Sequence, residues 1–140
     1  MVHQVLVDEL GLDRPDPSGF ARDFAPVGFV VVGCGMGHKR ARTVVETPGT
    51  ALVAVVDADP ARARCTGEDL DVPWSDSLDP WLGRAEAEVV YVLTPTGLHA
   101  EVALAAIEAG KHVLVTKPME ATLAACDRMV RAAEARGRLL

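Results

Sequence analysis

The chain has 140 residues, of which 49% are hydrophobic and 24% are charged, so it has the size and composition of one folded domain. Its formal net charge of −6 makes nucleic acid an unfavourable partner, because an acidic surface repels a polyanion. No apolar run reaches the roughly 20 residues of a membrane span, so we expect no membrane association.

The three cysteines, Cys34, Cys65 and Cys126, lie far apart in the sequence. An odd number of isolated cysteines argues against a disulfide framework and against a paired metal site. His38 and His112 have no metal-ligand spacing to a cysteine or an acid, so no metal is predicted. Because the N-terminus is acidic and lacks a basic and then apolar signal pattern, we expect a cytoplasmic protein.

Residues 1–25 differ from the rest of the chain and are predicted to be an N-terminal extension. Turn- and linker-type residues fill positions 13–19. From residue 26 to 140 the sequence instead alternates short β-branched runs with helix-compatible segments. We predict strands over 28–32, 51–57, 72–74, 88–93 and 112–115, and helices over 38–47, 59–70, 76–82, 98–109 and from 122 onward.

Strands that alternate with helices predict an α/β fold with a single doubly wound parallel sheet. The apolar positions of the last two helices indicate the faces that they bury. For the helix ending at Gly110 these positions are Leu98, Val102, Ala105, Ala106 and Ala109. For the final helix they are Leu123, Cys126, Met129, Val130 and Ala133, and Leu139-Leu140 could begin one more strand.

In such sheets ligands bind beyond the carboxyl ends of the strands, near the point where the strand order reverses. Four segments follow predicted strands and should therefore converge on one edge. They are residues 33–38, 57–59, 94–99 and 116–118.

The segment Gly33-Cys34-Gly35-Met36-Gly37 follows a strand and precedes a helix, which is the context of a dinucleotide-binding loop. Glycines let the chain turn tightly and let a pyrophosphate approach the amides, while the helix N-terminus supplies positive potential. The usual spacing puts the third glycine at His38. Either the loop is one residue shorter or His38 takes the helix-packing position. The competing interpretation is a tight glycine turn without a ligand.

Asp57 ends the second strand, 20 residues after Gly37, where an acid can bond the adenosine ribose hydroxyls. A carboxylate there repels a 2′-phosphate, and no arginine directly follows it, so NAD is favoured over NADP as the cofactor. The competing interpretation is a solvated acid at a strand end. Asp59 is expected to cap the next helix rather than to contact the ligand.

Two further side chains follow strand ends. Lys117 precedes Pro118 and could orient a substrate hydroxyl or relay its proton, although taken alone it is better interpreted as an exposed turn lysine. His99 lies in the first turn of a helix after Thr94-Pro95 and could line the nicotinamide end of the site. A polar residue near a helix start is an equally good interpretation of His99.

Together these residues resemble the glucose–fructose oxidoreductase and inositol dehydrogenase family, Gfo/Idh/MocA, over about residues 27–140. The segments that carry the resemblance are the glycine loop, Leu52–Asp57, Thr94-Pro95-Thr96-Gly97-Leu98-His99 and Ala109–Pro118. The last two are specific as a pair at this spacing, whereas the glycine loop alone is not.

The resemblance implies a Rossmann fold that binds NAD or NADP, with Lys117 at the active site. Cofactor contacts are then expected from the glycine loop, Asp57 and the residues at the next strand ends, which are Thr94, Pro95, His99 and Thr116. Thr116 stands where glutamate is usual, and its hydroxyl can still hydrogen-bond a ribose. Family members oxidise or reduce sugars, cyclitols and related hydroxy compounds by hydride transfer.

The family's second domain, which supplies an aspartate and a histidine that act with the lysine, has no counterpart in these residues. We therefore expect the nucleotide-binding half of an oxidoreductase, inactive alone, which self-associates or meets a partner chain that supplies the second domain. The alternative is a nucleotide-binding module without turnover, or a gene remnant. A methyltransferase fold that binds S-adenosylmethionine is a weaker third interpretation, because nothing in it requires Lys117-Pro118.

Overall fold

A computed structural model describes residues 25–140, so the predicted extension lies outside the described part except for its last residue. The strands are β1 Val27–Val32, β2 Thr50–Val56, β3 Trp74–Ser75, β4 Val89–Val92 and β5 His112–Val115. The helices are α1 Gly37–Glu46, α2 Pro60–Leu70, α3 Asp79–Leu82, α4 His99–Glu108 and α5 Leu123–Arg136.

Two elements begin at least two residues later than the sequence predicts. Strand β3 begins only after Pro73, which has no N–H to donate to a ladder. Helix α3 begins at Asp79 rather than at residue 76, because serines hold the preceding residues in a turn. The Ser75 hydroxyl donates to the Ser77 carbonyl at 2.7 Å, and the Ser77 hydroxyl accepts the Asp79 N–H at 3.2 Å.

All five strands are parallel and their order in the sheet is β3-β2-β1-β4-β5. The chain moves outward from β1 to β3 and then crosses back to place β4 on the other side of β1. The strand order therefore reverses between β1 and β4, which is where a doubly wound sheet opens a crevice for ligands. The predicted Rossmann-type α/β fold is confirmed.

Apolar side chains cover both faces of the sheet. On one face, alternate residues of β1 and β2, such as Val30 and Val56, pack with α4, α5 and Trp81. On the other face Val31 and Val55 pack with α1. Within residues 25–140, no helix has both the length and the apolar character needed to cross a membrane.

The buried faces of α4 and α5 differ from the predicted ones. In α4 the buried residues are His99, Ala100, Ala103, Ala106 and Ile107, so of the predicted set only Ala106 is fully buried. In α5 they are Ala125, Met129 and Ala133, whereas Leu123 is 84% exposed and Val130 is also exposed. Both helices are alanine-rich, so apolar side chains occur on several faces and their spacing does not define a single stripe.

The segment after α5 begins to pair with the outer edge of β5. The Val113 N–H donates to the Leu139 carbonyl at 2.9 Å, and the Leu139 N–H donates to Nδ1 of His112 at 2.9 Å. These contacts agree with the expectation that Leu139-Leu140 could begin another strand.

Candidate dinucleotide-binding site

The segments that follow β1, β2, β4 and β5 converge on one edge of the sheet, as the sequence predicts. Backbone hydrogen bonds connect them just beyond the strands. The Gly33 N–H donates to the Val56 carbonyl at 2.7 Å, and the Leu93 N–H donates to the Val32 carbonyl at 2.8 Å. On the far side of β4, the Thr116 N–H lies 3.4 Å from the Val92 carbonyl.

The three glycines after β1 have three different environments. Gly33 has φ of +102°, and a Cβ there would lie 2.6 Å from the backbone carbonyl of Leu93. Gly35 is exposed, and a Cβ there would meet nothing within 4 Å, which leaves the backbone open to a ligand. Gly37 is buried in the first turn of α1, where a Cβ would touch Leu93 and Val31 side chains at 3.4–3.6 Å.

This packing settles the spacing question that the sequence leaves open. Gly37 rather than His38 is buried against the sheet, and a Cβ at Gly37 would make only ordinary van der Waals contacts, so the buried position of the first turn comes one residue earlier than in the usual form. His38 faces away from the loop, and its Nε2 lies 2.9 Å from Asp69 Oδ2 in α2. The same carboxylate oxygen accepts from Arg42 at 2.6 Å, so these side chains connect α1 to α2.

Helix α1 begins without a side-chain cap, whereas the neighbouring long helices are capped. Asp59 accepts the Ala61 N–H of α2, and Thr122 accepts the Ala125 N–H of α5. Glu120 reaches across from the loop after β5 to accept the Ala100 N–H of α4 at 2.8 Å. The first turn of α1 also contains no acid, so its N–H groups and positive dipole end are available to an anion.

Asp57 is buried at the end of β2 and is held from both sides. Its Oδ2 accepts the Cys34 N–H at 2.7 Å, and its Oδ1 accepts the Asp59 N–H at 2.9 Å. Burial by itself would raise the pKa of the Asp57 carboxyl, but these two N–H groups and the Arg62 guanidinium hold it below its ordinary value. The acid is therefore ionised at neutral pH and fixed beside the glycine loop.

Arg62 is a charged neighbour of Asp57 that the sequence reasoning missed. Its Nη2 and Nε lie 3.2 and 3.3 Å from Asp57 Oδ1, and its Nε lies 3.6 Å from Asp59 Oδ2. Only an arginine directly after Asp57 was considered at the sequence level. The predicted start of α2 near Pro60 could have indicated Arg62. Residue 62 lies in the first turn of that helix, close to the end of β2.

Cys34 lies inside the loop but is not a reactive thiol. Burial raises its pKa to about 11, so the sulfur stays protonated at neutral pH. Its Sγ lies 3.5 Å from the Val56 carbonyl. The side chain therefore serves the packing of the loop against β2, while its backbone N–H holds Asp57.

His99 is buried rather than open to the cleft. Its Nδ1 lies 3.1 Å from the carbonyls of both Pro118 and Met119, and its Nε2 lies 2.7 Å from the carbonyl of Thr94. Carbonyl oxygens only accept hydrogen bonds and a singly protonated ring has one N–H, so the tautomer decides which of the two loops receives the bond from His99. In this structure His99 lies between the two loops, and its role at the nicotinamide end stays a prediction.

Glu120 is a second residue that the sequence reasoning missed, and it connects the same two loops. Its carboxylate accepts the Ala100 N–H at 2.8 Å and the Ala121 N–H at 2.6 Å. These N–H groups hold the pKa of the Glu120 carboxyl below its ordinary value. A Met-Glu sequence after Lys-Pro gave no indication that the acid would cap a helix beginning 21 residues earlier.

The remaining predicted site residues lie in the segments that follow β1, β4 and β5. Lys117 and Pro95 are exposed, whereas Thr116 is half-buried. The peptide bond between Lys117 and Pro118 is cis. Met36 is exposed at the tip of the glycine loop. Thr94 is half-buried, and its hydroxyl has no hydrogen-bond partner among residues 25–140.

Comparison with known proteins decides the family. The model of the Gfo/Idh/MocA oxidoreductase family, which describes its NAD-binding Rossmann fold, matches residues 27–140. This chain belongs to that family. The resemblance that the sequence motifs indicate is thereby confirmed.

Individual relatives match over the same region. The chain is 36% identical to 2,7-anhydro-N-acetylneuraminate hydratase of Mediterraneibacter gnavus, over 79% of this chain and 29% of the relative. It is 40% identical to inositol 2-dehydrogenase 1 of Saccharopolyspora erythraea, over 79% of this chain and 34% of the relative. Among solved structures, GenD2 of gentamicin A biosynthesis in complex with NAD is 28% identical, with a TM-score of 0.82 over 89% of this chain and 35% of that one.

The chain thus spans about a third of the length of the relatives it matches. It is an NAD(P)-binding Rossmann domain of this family.

Proposed function

We propose that this chain binds NAD, and NADP more weakly, as the cofactor-binding part of an enzyme that transfers hydride to or from a sugar, a cyclitol or a related hydroxy compound. The observation that carries the cofactor proposal is the bond of 2.7 Å from the Cys34 N–H to Asp57 Oδ2. It fixes an ionised acid beside the glycine loop, where the adenosine ribose of a dinucleotide lies in Rossmann folds.

The residues that would hold the dinucleotide fit its chemistry. The open backbone at Gly35 and the uncapped start of α1 suit a pyrophosphate. Asp57 Oδ2 accepts one protein N–H and so retains acceptor capacity for a ribose hydroxyl. Met36, Thr94, Pro95 and Thr116 complete the proposed lining.

The bound nicotinamide supplies or accepts the hydride, and Lys117 is the proposed residue for the proton. It is exposed at the carboxyl end of β5, where its neutral amine could accept the proton of the substrate hydroxyl as hydride leaves, and its ammonium form could return that proton in the reverse direction. By family resemblance, a second domain orients the substrate carbon. We propose that such a domain meets Lys117, and that the chain self-associates or binds a partner chain.

A cytoplasmic location and the lack of a nucleic-acid partner belong to the same proposal. The three free cysteines are compatible with a reducing compartment, and the net charge of −6 disfavours binding to a polyanion.

The cofactor proposal is tested by calorimetric titration of the purified chain with NADH and with NADPH. We expect binding of both, with the lower Kd for NADH, and a smaller difference between them in Asp57→Asn. Asp127→Asn, which removes a charge from the exposed surface of α5, should leave both affinities unchanged. If neither nucleotide binds to the folded chain, or NADPH binds more tightly, the proposal is wrong.

A further inference from the structure

The buried ring of His99 meets a hydrogen-bond acceptor at each of its two nitrogens. The residue is only 2% exposed. Its Nδ1 lies 3.1 Å from the Pro118 and Met119 carbonyl oxygens, and its Nε2 lies 2.7 Å from the Thr94 carbonyl oxygen. A neutral imidazole has one N–H and one lone pair. In either neutral tautomer, a ring lone pair would therefore point at a carbonyl oxygen inside the protein.

A doubly protonated ring removes this conflict, because both of its nitrogens donate. The distance of 2.7 Å to the Thr94 carbonyl is in the range of charge-assisted hydrogen bonds. A buried cation costs free energy by desolvation, and this cost is offset where acceptors and an opposite charge surround the cation. The carbonyl oxygens of two loops supply the acceptors around His99.

The charges around His99 also favour a cation. Glu120 interacts electrostatically with the ring, and the Ala100 and Ala121 N–H groups hold the pKa of its carboxyl below the ordinary value, so it is an anion at neutral pH. The loop after β4, residues 94–98, contains no titratable side chain. The other charged side chains on the elements around the ring are exposed, and they are Lys117 before the Pro118 carbonyl, Glu101 on α4 and Arg128 on α5. Because solvent screens exposed charges, the Glu120 carboxylate dominates.

We propose that His99 is a positioning residue for Lys117, and that the second proton of its ring ties the loop after β5 to the loop after β4. The proposal rests on the proposed dinucleotide function. Lys117 directly precedes Pro118, whose carbonyl faces one ring nitrogen. Thr94, whose carbonyl faces the other, belongs to the proposed cofactor lining. The protonated ring thus sets the separation between the lysine and that lining, and loss of one proton releases one of the two loops.

The first test is the charge state of the ring, which requires no ligand. Correlation of imidazole ¹⁵N and ¹H signals in the folded wild-type chain at about pH 7.5 should show two protonated nitrogens for His99. His99→Gln identifies the signal by its loss. Because this measurement is made on the wild-type chain, His112→Gln and His38→Gln can identify the other ring signals if His99→Gln does not fold.

The second test is the pH dependence of unfolding. An unfolded histidine loses its second proton near pH 6.5, so a folded ring that keeps this proton makes stability fall as the pH rises above that value. Between about pH 6.5 and pH 8, the equilibrium constant for urea unfolding should rise by up to about tenfold per pH unit. The range ends there because burial raises the pKa of the Cys34 thiol to about 11, which gives a change of the same sign at higher pH. His99→Gln, whose amide takes up no proton in this range, should lack the rise.

The third test follows Lys117 itself. In a chain with ¹³C-labelled lysine, the Cε signal of Lys117 should change with pH together with the ring signals of His99, and the Kd for NADH should rise about threefold or more as the ring loses its proton. Both changes should be absent in His99→Gln. His38→Gln removes a surface histidine that contacts Asp69, and this matched control should keep both changes.

The outcomes are distinguishable. A single N–H on the His99 ring at neutral pH, or a pH dependence of unfolding that persists in His99→Gln, contradicts the proposal. A doubly protonated ring whose loss of a proton leaves the Lys117 signal unchanged shows a structural histidine and also contradicts the positioning role. Failure of NADH to bind at any pH contradicts the proposed function instead, and the ring and lysine signals then still test the positioning role.

Discussion

The Cys34 N–H and the Asp57 carboxylate, separated by 2.7 Å, join the loop after β1 to the end of β2. Cys34 also packs the loop against β2, because its thiol sulfur lies 3.5 Å from the Val56 carbonyl oxygen. A ligand that contacts the loop amides therefore meets an acid whose position is already fixed. This preorganisation lowers the ordering cost of binding.

The first prediction concerns two glycines of this loop, one that the fold requires and one that the ligand requires. Gly33→Ala should destabilise the fold by about 1–3 kcal/mol or more, because φ is +102° and the new Cβ would lie 2.6 Å from the Leu93 backbone. Gly35→Ala should leave the melting temperature nearly unchanged, since its Cβ would meet no protein atom within 4 Å, yet weaken NADH binding by intruding on the pyrophosphate. Thermal melting and calorimetry on both variants check this. Equal melting temperatures for the two variants would contradict it.

The second prediction concerns the buried histidine of α4. His99→Ala should lower the free energy of unfolding by about 2–4 kcal/mol, because it removes a buried ring that packs between two loops and its hydrogen bond to a loop carbonyl. The matched control is His38→Ala, whose contact with Asp69 is on the surface and should be worth less than about 1 kcal/mol. Urea unfolding of both variants provides the measurement. If His99→Ala lowered the free energy of unfolding as little as His38→Ala does, His99 would not hold the loops together.

The third prediction is a pH dependence of stability that comes from Glu120. Its pKa in the folded chain lies below the ordinary glutamate value, so folding favours the ionised form. The stabilisation is complete above about pH 4.3, the unfolded value, and is lost as the pH falls through the lower folded pKa. Urea unfolding from pH 7 to pH 3 should show that the free energy of unfolding decreases less steeply with falling pH in Glu120→Gln than in the wild type.

The control is Glu101→Gln. Glu101 is an exposed acid in the first turn of α4, the helix that Glu120 caps, and this variant should keep the wild-type pH dependence of stability. Asp57 also has a lowered pKa, so its contribution to stability is also lost at acidic pH. The Glu120→Gln variant should therefore keep part of the decrease in stability with falling pH. Parallel pH profiles for Glu120→Gln and the wild type would disprove the assigned role of Glu120.

The parallel sheet and the convergence of the strand ends could be predicted from local sequence. Val30 to Val32, followed by a glycine run, can only be a buried strand that ends in a tight turn, and the alternation with helices then sets a parallel sheet. The Asp59 cap of α2 was predictable for the same reason, since an acid before Pro60 is a local signal.

Contacts between residues distant in sequence could not be predicted in this way. His99 and Glu120 are each polar residues near a helix start, and nothing local indicates that both connect the loops after β4 and β5. The buried side of α4 was missed because its alanines make several faces apolar. Arg62 was missed because its relation to Asp57 depends on how α2 leaves the strand.

The last prediction is that the purified chain binds NADH without appreciable dehydrogenase turnover on cyclitols, sugars or sugar acids. Around the cleft, the titratable groups of the described residues mostly have other partners. Asp57 is held by two N–H groups and Arg62, His99 is buried against carbonyls, and Glu120 caps α4. Lys117 is left as the exposed group at the end of β5 that could serve the substrate hydroxyl.

A single lysine is not enough for this reaction. Positioning of the reacting carbon contributes about 7–11 kcal/mol in well-oriented systems, and general base catalysis adds roughly a hundredfold to ten-thousandfold. By family resemblance both depend on a second domain. NADH absorbance at high protein concentration, with Lys117→Ala as the control variant, provides the assay. Turnover above about one per second that Lys117→Ala abolishes would contradict the prediction. It would mean that the substrate site is built from this domain, or between its copies, because activity that depends on Lys117 cannot come from a contaminating dehydrogenase.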